Sequence, residues 1–142
     1  MTFRPAITTK PAAQMTAQLV GDRGSTSLQL VIIFPAVLVL IFGGVQTALY
    51  FYARNVAIAA AQEGARAAGA QNGSSGAGTT AATDFITRAG GPDALPASSV
   101  SGSRSAVTAT VTVRGRSLSL VPGYAGINIT QSASVPVERI TR

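Results

Sequence analysis

Side chains able to do covalent or acid–base chemistry are scarce in this sequence. It has no cysteine and no histidine, which removes thiolate nucleophiles, disulfides, imidazole general bases and most transition-metal ligand sets together. The carboxylates are Asp22, Glu63, Asp84, Asp93 and Glu138. None stands three or four places from another, the spacing that brings two onto one helix face. The sequence therefore points to no catalytic residue, no metal site and no cofactor, and the chain is not expected to be an enzyme. The chemistry open to it is chemistry done to it, the hydrolysis of one of its own peptide bonds.

The stretch RGSTSLQLVIIFP, Arg23 to Pro35, sets a short polar step against a long apolar run. Two kinds of peptidase act at such junctions, at opposite ends of the run. A secretory signal peptidase cuts after it at small residues, and AIAAA at Ala57–Ala61 qualifies locally. The apolar core of a signal peptide is only about 7–15 residues long, however, and the run here is far longer. A prepilin-type peptidase cuts before the run, after a glycine, and leaves the apolar segment on the mature chain. Gly24 meets that requirement, because a residue without Cβ lets the backbone lie extended and close in a protease groove. The bond between Gly24 and Ser25 is the expected processing site.

The elements that position this step follow from the charge pattern. From Leu30 to Ala53 there is no charge, and Gln46 and Thr47 are the only frankly polar side chains. At about 1.5 Å per residue this helix is roughly 36 Å long, enough to cross a hydrocarbon core of about 30 Å. Tyr50 and Tyr52 at its far end, with Arg54 beyond, fit an interfacial belt followed by a snorkelling cation. Pro35, Gly43 and Gly44 are tolerable in lipid, where they serve kinks or close helix approach. Ahead of the run, residues 1–24 carry Arg4, Lys10 and Arg23 without a sustained apolar period, and read as an unstructured cytoplasmic leader. Beyond the run lie Arg54 and Arg66, so the cation bias favours a cytoplasmic N-terminus only modestly.

The helix is expected to continue through RNVAIAAAQEGARAAGA, so that residues 25–70 form one element. Small residues at Ala53, Ala57, Ala61, Ala65 and Gly69 recur every fourth place and give it a smooth stripe, a surface suited to another helix. Glu63 and Arg66 are spaced for a surface ion pair. QNGSSGAG then opens a Gly/Ser linker over 71–79, and residues 80–142 form a small head. Within it, Thr80–Arg88 is expected as a short helix burying Phe85 and Ile86, ended by GGPDALP. SAVTATVTV, Ser105–Val113, alternates as a half-buried strand, with Val107, Ala109, Val111 and Val113 on one face and threonines on the other. INITQSASVPV, Ile127–Val137, alternates too, and Pro136 marks an edge or a strand end. The fold class is α+β: a long N-terminal helix, transmembrane in its first half, then an extracytoplasmic domain of one short helix and antiparallel strands. The sheet should pack on the membrane-distal half of the long helix.

The segment RGSTSLQLVIIFPAVLVLIFGGVQTALYFYARNVAIAAAQEGARAAGA resembles the opening of TadE-like pseudopilins, minor components of the tight-adherence (Tad/Flp) pilus and secretion machinery. The matching residues are Arg23, Gly24, Ser25, Pro35, Tyr52, Ala53, Arg54, Glu63, Gly64, Ala65 and Arg66. The resemblance implies a minor pseudopilin of the cytoplasmic membrane, N-terminus inside and head outside, that assembles with other minor pilins and the major Flp-type pilin. It implies a prepilin peptidase, Tad membrane platform proteins and membrane lipid as further partners. One marker departs from the family pattern, which has glutamate where this chain has Gln29. In related pilins that carboxylate is thought to meet the freed amino terminus of a neighbour; a neutral amide keeps the geometry without the charge, so docking should be weaker. Gln29, Ala53, Ala57, Ala61 and Ala65 are the expected subunit-docking residues.

The net charge of +6 leaves a rival open, an anchored or secreted protein whose basic head binds cell-wall polyanions or DNA through Arg104, Arg114 and Arg116. The eleven lysines and arginines are scattered along the chain, whereas a nucleic-acid interface needs them clustered. No nucleic-acid partner is expected.

Overall fold

The computed structural model describes residues 21–139, with side chains from residue 28 onward. Arg4 and Lys10 of the expected leader lie outside the described residues. The elements are α1 (Gly21–Gly69), α2 (Ser75–Arg88), a 3-10 turn (Gly91–Asp93), β1 (Ser99–Arg104), β2 (Thr108–Arg116) and β3 (Asn128–Pro136). This is the α+β arrangement read from the sequence. The chain divides into two compact units, one ending at Ile41 and the other beginning at Phe42.

α1, which includes residues of both units, is long and apolar enough to cross a membrane once. Its side chains from Leu28 through Ile41 are all exposed, including Ile32 and Phe34, and Pro35 lies within the helix. Residues 21–24, expected to be unstructured, are helical. Helix propagation adds one hydrogen bond per residue fixed, so a long helix can extend even through poor helix formers such as Gly21 and Gly24.

In the second unit the helix carries a head on one face. The buried positions of α1 are Ala53, Val56, Ala57, Ala60, Ala61, Gly64, Ala65, Ala68 and Gly69, spaced by one, three or four residues as a helix face requires. Every one of them but Val56 is alanine or glycine, so the helix backbone can lie close against its neighbours. The sheet is antiparallel in the order β1-β2-β3. Ala109, Val111 and Val113 of β2 and Ile129 of β3 complete the core with Ile86, Ala94 and Leu95. On the outer face, Thr110 hydrogen-bonds Ser134 at 2.7 Å and Thr112 hydrogen-bonds Ser132 at 3.0 Å, both across register pairs. The alternation of β2 thus separates a packed face from a hydroxyl-lined one.

α1 and α2 meet through glycines. A Cβ on Gly64 would stand 2.6 Å from the Gly78 carbonyl oxygen and 2.9 Å from Ala82 Cβ. One on Gly78 would stand 2.7 Å from Ala68 Cβ and 2.8 Å from the Gly64 carbonyl oxygen. This reciprocal contact corrects the expected 71–79 linker. The break spans only residues 70–74, because Ser74 caps α2 by accepting a hydrogen bond from Ala77 N at 3.0 Å, the usual role of serine there. Gly76 and Gly78 belong to the helix, and Gly78 is there for close approach rather than flexibility. Within α2, Ile86 is buried and Phe85 half-buried, as the sequence implied.

The strands differ from expectation at their ends. Ser105 opens a hairpin turn instead of β2, donating from its backbone to Thr108 O at 2.8 Å, and this turn leaves Val107 63% exposed. Ile127 likewise stays outside β3 and exposed. β1 was not foreseen. Its sequence SVSGSR has no apolar alternation, and its place is fixed by pairing with β2 and by Gly102, where a Cβ would stand 2.9 Å from the Ser75 carbonyl oxygen.

Gly64→Val should destabilise the head by about 1–3 kcal/mol, the usual cost of overpacking, despite valine's better helix propensity. Gly76→Ala, whose nearest neighbour atom would be 3.7 Å away, should be neutral or slightly stabilising. Thermal unfolding followed by circular dichroism on the full chain in detergent separates the two.

Candidate functional site

The structure does not bring the carboxylates into a catalytic or metal-binding cluster: among the described residues no group of three acidic side chains could hold a metal ion. Glu63 pairs with Arg66 at 3.6 Å on the exposed side of α1, as their spacing implied. What the chain does assemble is a set of contacts that fix the head onto its own helix.

The small-residue stripe is one side of that set. Ala53, Ala57, Ala61 and Ala65 are at most 1% exposed, and they belong to the same buried cluster as Val111, Val113 and Ile86. The expectation that these four alanines dock another subunit is corrected here, since their surface is occupied by the chain's own head. The stripe continues at Gly69, where a Cβ would stand 2.5 Å from Val135 Cγ2. The sequence signal was read correctly as a close-packing surface, and the partner turned out to be internal.

The distal end of α1 is closed by the head as well. The last carbonyls of a helix lack partners within it. Here Arg104, at the end of β1, donates from Nη1 to Ala68 O and, at 2.9 Å, to Ala70 O. Glu138 N donates to Gly69 O at 3.0 Å. A guanidinium at a helix C-terminus is also placed favourably in the helix dipole. Arg104 is thereby committed to a structural contact, and Arg116 donates from Nε to Asn128 Oδ1 at 3.0 Å. Of the three arginines considered for a polyanion surface, Arg104 and Arg116 thus have partners within the chain.

At the proximal end, two side chains of α1 hold loops of the head. Tyr52 donates its hydroxyl to Ala89 O at 2.8 Å, just past α2. Gln46 uses both ends of its amide: Nε2 donates to Leu118 O at 2.9 Å, and Oε1 accepts from Leu120 N at 3.1 Å. An amide that satisfies its donor and acceptor together is far cheaper to keep on an apolar helix than a bare one. Thr47, the other polar residue of the run, donates to Gly43 O at 2.8 Å. The sequence marked Gln46 and Thr47 as polar exceptions but held no sign of what Gln46 would grip, because its partners are backbone atoms more than seventy residues away.

Gly24 and Ser25 lie in the first turns of α1. Cleavage between them requires local unwinding, which a helix end allows because its first N–H groups have no intrahelical partner. Gln29 is exposed on the same helix.

Residues 24–66 match the family model described as TadE-like protein. Neither the curated proteins nor the solved structures gave a significant match.

Gln46→Leu should free the loop that the amide holds. Two hydrogen bonds at about 1 kcal/mol each imply roughly tenfold or greater acceleration of hydrogen exchange at the Leu120 amide, with exchange in β2 unchanged. Exchange measured by mass spectrometry at peptide resolution checks this.

Proposed function

From a TadE-like segment at residues 24–66, we propose that this chain is a minor pseudopilin of a Tad/Flp-type pilus or secretion apparatus. The observation that carries the reading is the coincidence of two boundaries: the match begins at Gly24, and the uncharged run begins directly after Arg23, on a helix long and apolar enough to cross a membrane. In this reading a prepilin-type peptidase cuts between Gly24 and Ser25. α1 then crosses the cytoplasmic membrane with its N-terminus inside, and the head stands outside.

The work of the chain is assembly with other minor pilins, the major Flp-type pilin and the Tad platform proteins. With the alanine face covered by the head, lateral contacts fall to the exposed apolar part of α1. Gly43 and Gly44 offer a notch there, since a Cβ on either would meet nothing within 4 Å. Gln29 sits four residues from the new amino terminus at Ser25. Its neutral amide accepts a hydrogen bond from a neighbour's ammonium but supplies no charge, and a charge-assisted bond is roughly twice as strong as a neutral one. The chain is suited to the end of a stack, or to a membrane-resident role, more than to repeated stacking in a long fibre.

Co-expression with an active prepilin peptidase should lower the intact mass by that of residues 1–24, and Gly24→Val should slow the cut strongly. An unchanged mass with the peptidase active on its own pilin contradicts the reading. In the same cells, Gln29→Glu should leave recovery of the companion pilins with this chain equal or increased, as measured by quantitative co-purification.

A further inference from the structure

The β2–β3 loop, residues 117–127, is an exposed apolar surface that the assembly reading leaves unused. Leu120 is 47%, Val121 56% and Tyr124 52% exposed, with Ile127 beside them. No charged residue occurs between Arg116 and Glu138. Such a patch is normally removed from water by something.

The loop is also built, not slack. Its base is closed by Ser117, which donates from N to Ile127 O at 2.9 Å and accepts from Ile127 N through Oγ at 3.0 Å. Its tip is a tight turn, with Tyr124 N donating to Val121 O at 3.1 Å. Pro122 and Gly123 occupy the two central positions, and Gly123 has φ +81°. This is the residue pattern of a type II turn, where proline presets the first position and glycine accepts a positive φ at the second. Ser119 Oγ accepts from Val121 N at 3.1 Å and holds the approach to the turn. These bonds use backbone groups of the tip internally and direct Leu120, Val121 and Tyr124 outward.

The depth of the loop is set by Gln46. That residue lies inside the charge-free run, eight places before Arg54, the first charged side chain after it. At 1.5 Å per residue Gln46 is about 12 Å along the helix on the membrane side of Arg54. The loop gripped by its amide therefore reaches past the level of Tyr52 and Arg54. If Tyr50, Tyr52 and Arg54 mark the interface, the Val121–Tyr124 tip meets lipid. A segment with leucine, valine, proline and tyrosine, no charge, and part of its backbone hydrogen-bonded within the turn has the chemistry that the headgroup–acyl boundary accepts.

We propose that the β2–β3 loop is a second membrane contact, a lipid-facing foot that seats the head on the outer surface of the bilayer beside α1. The proposal rests on the reading of α1 as membrane-spanning. The foot fixes the head against tilting about its helix, so that its other faces are presented to companion subunits in one orientation.

The test uses the full chain, which has no native cysteine, carrying one cysteine at a time: Leu38→Cys in the apolar run, Val121→Cys on the foot, and Ala106→Cys in the β1–β2 turn. Ala106 is a distal control because neighbouring Arg104 binds Ala68 and Ala70, roughly 33 Å beyond Gln46 along α1. Each variant is labelled with an environment-sensitive fluorophore and reconstituted into phosphatidylcholine vesicles containing lipids with a nitroxide on the acyl chain, near the headgroup in one preparation and near the chain end in another. The probe at Val121 should emit at shorter wavelength than the probe at Ala106 and lose most of its intensity to the lipid quencher, while the probe at Ala106 keeps its intensity. Gln46→Leu in the Val121→Cys chain should weaken that quenching. Quenching at Leu38 with none at Val121 overturns the foot and leaves the spanning helix standing. Absence of quenching at both overturns the two readings together. Ready disulfide formation between unlabelled Val121→Cys chains, without lipid quenching, assigns the face to a second copy and overturns the proposal as well.

Discussion

The head depends on how closely other backbone can approach the distal half of α1. Between Ala53 and Gly69 the inward face of that helix offers almost nothing larger than a methyl group, with Val56 the exception. Alanine and glycine bury little apolar area individually, so the face gains from proximity: many atom pairs at van der Waals distance, each worth about 0.1–0.2 kcal/mol. The Gly64–Gly78 contact is its tightest point. Substitution there displaces backbone, not a side chain that can turn aside. The rest of the head follows from this constraint. α2 begins as soon as Ser74 can cap it, β1 passes over the first turn of α2 only because residue 102 is glycine, and β2 supplies Val111 to fill the space between the two helices.

Three contacts then fix the head along the helix. Arg104 and the Glu138 backbone close the distal end, Tyr52 reaches the end of α2, and Gln46 grips the β2–β3 loop. Each one satisfies polar atoms that would otherwise lack partners: the terminal carbonyls of α1, a phenolic hydroxyl and a side-chain amide in an apolar run. The pattern is economical, because a buried or lipid-facing polar group costs far more unpaired than a paired one gains. It also joins helix and head in one compact unit beginning at Phe42.

Much of this was legible in the residue pattern. The uncharged run predicted the long helix, the valine–threonine alternation predicted β2 with its packed and polar faces, and Pro136 marked the end of an edge strand. The misreadings share a physical origin. Glycines at 76 and 78 have the composition of a linker, and only the nearness of α1 explains why one of them must lack a side chain. β1 is polar and held by pairing, so periodicity could not reveal it. The alanine stripe announced close packing but not its partner, because a smooth helix face looks the same whether a neighbouring subunit or the chain's own sheet covers it. Gln46 stood out by type, while its role depends on a loop that the chain brings back from far along the sequence.

The central claim is that the small-residue face of α1 is covered by the chain's own head. It is tested most directly by thiol protection in the purified, uncomplexed full chain. Ala61 is 1% exposed, and adjacent Gln62 is exposed on the opposite side of the helix. Cysteine is close to alanine in size and disturbs the contact little. Ala61→Cys should react with a maleimide orders of magnitude more slowly than Gln62→Cys, and the protection should vanish on denaturation. Equal rates at the two positions in the folded chain would contradict the account and return the stripe to the surface as a site for another subunit.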